Sequence, residues 1–218
     1  LRESDRNLLG AIGLIRKGRF LRAGLLLAGT TEAIREHFQG YAWTHLRMAT
    51  DTDYSDRADG QDAIPLAMER IIDRIMADNP IATVPQGLFH FEIRTYPEIA
   101  LREAVLNALV HADYRIHGPI LLKQFKDRLE ISNPGGLPGG ITPENILRHE
   151  PVPRNPTLVD TLTRLRLVNR SNLGVGRMFS ALLMEGKEPP DIREIGESVA
   201  LTFMKRELID RLNASMGE

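Results

Sequence analysis

Glu98-Ile99-Ala100-Leu101-Arg102-Glu103-Ala104-Val105-Leu106-Asn107-Ala108-Leu109-Val110-His111-Ala112 has the length and composition of a helix with little to offer water. Between Ala100 and Val110 its residues are nearly all apolar, and a helix apolar on most sides is buried. Glu103, Asn107 and His111 break the rule at i, i+4 and i+8, a spacing that stacks their side chains along one face. A carboxylate and an amide buried in that setting need partners, because unpaired burial is costly. The stripe therefore faces either the protein surface or something that binds there.

Around this helix the chain alternates irregularly between helix and strand. Upstream, residues 88–95 read as a strand. Residues 63–77 read as an amphipathic helix with Ile64, Ala67, Met68, Ile71, Ile72 and Ile75 on one stripe. Asp78-Asn79-Pro80 ends it, since the residue before proline is turned away from helix, and we place a domain boundary there, between 1–80 and 81–218. Nearer the start, apolar stretches at 8–15 and 21–27 flank the basic turn Arg16-Lys17-Gly18-Arg19. Thr31 is expected to cap a helix over 32–38, and 41–48 alternates like a strand. Asp51, Asp53, Asp56, Asp59 and Asp62 read as a solvated loop. They do not match a calcium loop, because Asp56 stands where that loop requires glycine. Downstream, strands over 120–125 and 129–132 are joined by Lys126-Asp127-Arg128, and a Gly/Pro-rich loop follows from 133 to 141. Helices are expected over 143–148, over 157–167 and from near Gly176 to Gly186, then a strand over 199–204 and a helix over 205–213. The pattern predicts an α+β sandwich with helices on one face of a mostly antiparallel sheet, preceded by a small α+β segment.

The 218 residues carry 28 Lys+Arg and 29 Asp+Glu, and neither portion has the basic excess of a chain that holds DNA by charge alone. With no cysteine, disulfides, thiolate zinc sites and a cysteine nucleophile are excluded. No apolar run approaches the ~18–20 residues of a membrane span, so a cytoplasmic protein without membrane contact is expected. The chain opens on Leu1, not Met, which suggests that something precedes it. No G-x-x-x-x-G-K-[ST] loop supports a motor helicase, and Ser132, Ser171 and Ser180 lack the G-x-S-x-G context of a serine hydrolase. His111, Asp113 and His117 lie close in sequence, but one ligand beyond the helix and no third partner speak against a metal site.

Two glycine clusters complete the reading. Asn133-Pro134-Gly135-Gly136 directly follows a strand, where glycine lets backbone approach a ligand closely. Asn172-Leu173-Gly174-Val175-Gly176 precedes a helix, whose N-terminal amides would suit phosphate. The order of polar-striped helix, hairpin, glycine loop, helices and glycine-to-helix junction resembles the GHKL ATPases of gyrase, heat-shock chaperones, histidine kinases and mismatch-repair proteins. More closely, the chain resembles the ATPase-like C-terminal region of bacterial and archaeal proteins described as transcriptional regulators and often labelled as related to an ATP-dependent DNA helicase. The matching text is Tyr96-Pro97, Leu101 through Tyr114, Asp127 through Pro138, Pro153-Arg154-Asn155-Pro156 and Gly174-Val175-Gly176. Residues 81–204 carry this likeness. Residues 1–80, through Ala23-Gly24-Leu25-Leu26-Leu27-Ala28-Gly29, resemble the trailing part of a Schlafen/AlbA-type domain, whose nucleic-acid-facing part would precede Leu1.

The resemblance implies Mg²⁺ and ATP, or another purine nucleotide, as ligands. It implies that Glu103 polarises water toward the γ-phosphate and that Asn107 holds Mg²⁺ against the phosphates. Asn133 stands where the superfamily has an aspartate that accepts from the adenine amino group. Gly135 would give the base room, Gly136 would stand in for a glycine expected where Leu137 is, and Gly174 and Gly176 would flank the phosphates. His111 would line the same pocket or cap the helix end as a cation. Arg154 would reach a phosphate or a partner's carboxylate, or else sit on the surface in a rigid turn. Residues 137–157, with five prolines, would form a stiff lid. The function expected is nucleotide binding as a regulatory signal, with slow or no hydrolysis, in a transcriptional regulator that meets DNA through the part preceding Leu1 and is able to pair with a second copy. The alternative is a non-catalytic scaffold or dimerisation module with a degenerate pocket.

Overall fold

The computed structural model describes residues 2–86, 89–167 and 173–205. Helix α1 (Glu3–Ala11) leads into a hairpin of β1 (Ile15–Arg16) and β2 (Arg19–Phe20). The basic turn is its tip, with Lys17 and Gly18 both at positive φ, 50° and 75°. That is the backbone twist a two-residue hairpin turn prefers. Helix α2 (Arg22–Ala28) buries Ala23, Leu26 and Leu27. Helix α3 (Thr31–His37) starts one residue before the expected position, because Thr30 is the cap and its side chain accepts from the Ala33 amide at 3.2 Å. Thr31 instead donates to Asp62.

Then come β3 (Trp43–Met48), β4 (Tyr54–Gly60), α4 (Ile64–Met76), the hairpin β5 (Ile81–Gln86) and β6 (Phe89–Arg94), and α5 (Glu98–His111). The remainder is β7 (Ile120–Gln124), β8 (Arg128–Pro134), α6 (Pro156–Arg164), α7 (Leu173–Met184), β9 (Asp191–Ile195) and β10 (Ser198–Met204). Six strands form one sheet in the order β4-β3-β7-β8-β10-β9, antiparallel except where β3 runs parallel to β7. The fold is α+β, as expected, with one parallel contact in the sheet. That contact spans residue 80. Trp43, Ile64 and Ile71 share one buried core with Leu101, Leu109 and Leu122, so Asp78-Asn79-Pro80 ends α4 without ending the sheet or the core. Asn79 has a different task. Its side chain exchanges hydrogen bonds with Tyr96, donating to the carbonyl at 2.8 Å and accepting from the amide at 2.9 Å. The β5–β6 hairpin is thereby pinched at its base and the chain returns to the core at Tyr96.

Several local expectations are corrected. The aspartate run is only partly a loop: Asp56 and Asp59 lie on the edge strand β4, while Asp51, Asp53 and Asp62 lie outside it. Each carboxylate has its own partner, Asp51 with Arg128, Asp53 with the Thr50 hydroxyl, Asp56 with Arg74, Asp59 with Arg57 and Thr44, and Asp62 with Arg70. Gly60 lies opposite Trp43, and a Cβ there would come within 2.3 Å of the indole. Residues 143–148 form turns, not a helix, because Thr142 and Asn145 bond each other's backbone amides and compete with helical pairing. Strand β9 escaped the reading since Asp191, Arg193 and Glu194 give it the charged look of an edge strand. The α7 helix begins at Leu173, so Gly174 and Gly176 lie inside its first turn and do not precede it. The helix expected over 205–213 falls almost wholly outside the described residues, as do Ser171 and Asn172. Among the described residues no helix is long and apolar enough to cross a membrane.

A buried polar chain joins α4 to the sheet. Arg74 donates to His45 Nδ1, so the imidazole proton sits on Nε2 and is donated to Gln124 Oε1 at 3.1 Å. Gln124 in turn donates to the carbonyls of Ile75 and Asp78 at the end of α4. Burial holds the His45 pKa below its ordinary 6.5. Below about pH 6.5 the unfolded chain therefore takes up a proton that the folded chain resists, and the stability present above that pH is lost as pH falls. The melting temperature is expected to drop from pH 7.5 to 5.5. His45→Gln, which can keep both hydrogen bonds, should flatten that slope; an unchanged slope would refute the assignment. Leu109→Ala, at a position with 0 % exposure, should lower the unfolding free energy by about 2–5 kcal/mol in urea titration.

Candidate functional site

Helix α5 lies on the sheet between α4 and α7 and buries Ala100, Leu101, Ala104, Val105, Leu106, Ala108, Leu109 and Val110. With those faces occupied, the stripe of Glu103, Asn107 and His111 lines a cavity of about 470 Å³. Its floor is the sheet, through Asn133, Val199 and Leu201. Its roof is the loop after β8, through Leu137, Pro138, Ile141, Ile146 and Val152, and Gly174, Val175, Arg177 and Met178 of α7 close one side. The walls are mostly apolar and polar groups are few, as in sites that orient a small molecule.

The polar groups gather in two places. At the first, Glu103 Oε1 and Arg177 Nη1 form an ion pair of 2.8 Å, with the Glu103 side chain only 14 % exposed. Burial pushes the Glu103 pKa up, and Arg177 pulls against it. One turn along α5, the Asn107 Nδ2 atom is buried and has no hydrogen-bond partner. Gly174 seats the start of α7 against both: a Cβ there would stand 3.1 Å from Glu103 Oε2 and 3.8 Å from Asn107 Oδ1. Its glycine serves close packing of helix on helix. Gly176 has open space around it and does not line the cavity.

At the second place, Asn133 continues the inward alternation of Leu129 and Ile131 along β8. Its Nδ2 donates to the Pro134 carbonyl at 3.2 Å, which fixes the amide's orientation and leaves Oδ1 as the acceptor end. His111 also lines the cavity. Burial, with Arg154 adding to it, pushes its pKa down, so the imidazole is neutral at pH 7. It does not cap α5 as a cation. That end is capped by Asn155, whose Nδ2 donates to the carbonyls of Val110 and Ala112, and by the Tyr114 hydroxyl on Leu109.

Gly135 and Arg154 are brought together, but outside the cavity lining. Arg154 pairs with Asp113 at 3.2 Å and donates to the Gly136 carbonyl. Asp113 is further held by Arg115, which with Arg154 takes its pKa down to about 2. Gly135, at φ +94°, runs beside this pair, and a Cβ there would lie 2.7 Å from Asp113. Gly136 lines the cavity and passes close to Glu194 of β9, whose carboxylate accepts from the Leu137 amide. The roof loop is thus tied at both ends, by Glu194 where it leaves the sheet and by Arg154 and Asn155 where it returns. Sequence reasoning missed Arg177, Glu194 and this use of Asp113. Adjacency to the Gly174-Val175-Gly176 cluster was the only signal for Arg177, and Glu194 had none.

Residues 117–203 match the family model described as "Putative ATP-dependent DNA helicase recG C-terminal". That match supports an ATPase-like domain. It takes in Asn133, Gly136, Gly174 and Arg177, whereas α5 with Glu103 and Asn107 lies ahead of the matched segment. The crystal structure of the DIP2311 protein from Corynebacterium diphtheriae is similar over 97% of this chain, with a TM-score of 0.80 and 28% identity. The chain spans 43% of that protein's length. No curated protein matches it.

The roof loop depends on its ties. Arg154→Gln removes a charge-assisted hydrogen bond of the kind worth about 1.5–3 kcal/mol. It should therefore speed proteolytic cleavage between 137 and 153 by at least about tenfold, with the near-ultraviolet dichroism of the core retained. Cleavage at the wild-type rate would show that Arg154 does not hold the loop.

Proposed function

We propose that the cavity binds a purine nucleotide with Mg²⁺, ATP being the first candidate, as a regulatory ligand that is hydrolysed slowly or not at all. The observation that carries this reading is the unpartnered, buried Nδ2 of Asn107 beside Glu103 and Arg177. A buried donor without a partner in a native fold calls for an acceptor from a ligand or water, and phosphate oxygens supply acceptors. The Asn133 Oδ1 suits a donor such as the exocyclic amine of adenine, although without the charge of the superfamily's aspartate.

The residues fit a metal that arrives with its nucleotide. Among the described residues no cluster of three His, Cys, Asp or Glu could hold an ion alone, and Mg²⁺ in nucleotide sites commonly takes one or two protein ligands plus phosphates and water. Asn107 Oδ1 would be the protein ligand. When bound, the metal would neutralise phosphate charge; the chain's own part is to orient the base at Asn133, exclude water under the roof loop and hold the phosphates near α7. Slow turnover is supported by Asn133 and Leu137, which stand where the superfamily carries an aspartate and a glycine. The place of this module in a transcriptional regulator, with DNA met through a preceding segment and a second copy as partner, rests on the family resemblance.

Calorimetric titration of the purified chain with Mg²⁺ and a non-hydrolysable ATP analogue tests the reading. Wild-type binding is expected, and Asn107→Ala should weaken it by roughly 10-fold or more, the scale of a lost hydrogen bond to a charged group. A folded wild type that takes up no nucleotide would instead favour a scaffold whose pocket has lost its ligand.

A further inference from the structure

Glu103 turns both oxygens toward the start of α7. Oε1 is paired with Arg177, and Oε2 faces the backbone at Gly174, so closely that a Cβ would sit 3.1 Å away. The two partners are unequal in freedom. The Glu103 side chain is 14 % exposed, whereas that of Arg177 is 50 % exposed and reaches in from the rim. A long, half-solvated guanidinium can change partners at little cost, and a buried carboxylate on a packed helix cannot.

Arg154, His111 and Arg166, which also lie near the cavity, are poorly placed to meet an anion. Arg154 is engaged by Asp113 and by the Gly136 carbonyl and does not line the cavity. His111 is neutral at pH 7. Arg166 lines the cavity from the turn that follows α6. Among the described residues, Arg177 shares the Glu103 end of the cavity with the unpartnered amide of Asn107, one turn along α5.

We propose that Arg177 is the cavity's polyphosphate-recognising residue, and that its ion pair with Glu103 is a resting partner which the phosphates of a nucleoside di- or triphosphate displace. This rests on the nucleotide reading above and adds to it the group that reads phosphate number. A guanidinium matches a phosphate bidentately, as it matches a carboxylate, so the exchange conserves its hydrogen bonding. The exchange also has a consequence for Glu103. Once Arg177 turns to the phosphates, the carboxylate stands buried beside an anion without its counter-charge. Glu103 therefore opposes polyphosphate binding twice, by holding Arg177 before the exchange and by its own bare charge after it. Occupancy of the phosphate end and freedom of the carboxylate are one event.

The test is a double-mutant cycle in calorimetry on the full chain, with the Mg²⁺-bound non-hydrolysable ATP analogue and with adenosine as separate probes. Arg177→Gln should weaken the triphosphate roughly 10- to 100-fold and adenosine less than about 2-fold, as expected for loss of a charged contact confined to the phosphates. Arg177→Lys should recover part of the loss. Glu103→Gln should tighten the triphosphate about 5-fold or more, and that gain should shrink in the double variant, where no ion pair is left to break and only the carboxylate's repulsion is removed. Circular dichroism and melting temperature check each fold; if Arg177→Gln does not fold, Arg177→Lys and Glu103→Gln decide. Equal effects of the Arg177 substitutions on adenosine and triphosphate would overturn the proposal while leaving nucleotide binding intact. So would a Glu103→Gln variant that binds no tighter than the wild type. Wild-type protein that binds neither probe would overturn the nucleotide reading and this one with it.

Discussion

The burial of α5 determines what the rest of the molecule does. A helix packed on a sheet and flanked by two others has one free stripe left, and in this chain that stripe is made of a carboxylate, an amide and an imidazole. Apolar groups there would have drawn the roof loop or α7 down onto them and filled the space. Polar groups resist that closure, because each would lose water without gaining an equivalent partner. The cavity is therefore a property of α5 as much as of the loop above it. The neighbouring helix answers at one point only, where glycine allows it close to Glu103 and arginine satisfies the charge.

Much of this could be read from local pattern. The periodicity of α5 exposes its anomaly within four turns, and α4, β7 and β8 follow from apolar spacing and the breaks between them. What could not be read depends on residues far apart in the chain. Gly135 looks like a ligand-binding glycine until Asp113 and Arg154 are found pressed against it. The aspartates of 51–62 look like a loop because most of their arginines lie elsewhere, at positions 70, 74 and 128. Glu194 sits on a strand whose charges disguise it, and Arg177 is a single cation in an otherwise apolar helix start. Each is legible only in three dimensions, where its counterpart appears.

The crossing at residue 80 follows the same logic. A proline break after an amphipathic helix is an honest local signal of a helix end, but it carries no information about hydrogen bonding between β3 and β7. The polar chain from Arg74 through His45 to Gln124 fastens the end of α4 to the very strands that make that crossing. The earlier part of the chain thus contributes two strands and a helix to the body that carries the cavity.

The ties on the roof loop separate two kinds of change. Gly136 and Arg154 are joined across its base, and Thr142, Asn145 and Gly140 bond among themselves farther out. The loop is closed on itself much as an Ω-loop is. Its length and composition can then drift without disturbing the strand that precedes it or the helix that follows, since the entropy of a closed loop grows only slowly with length. The floor and the α5 stripe set what chemistry is offered, while the roof is a replaceable part that sets the size of what fits beneath it.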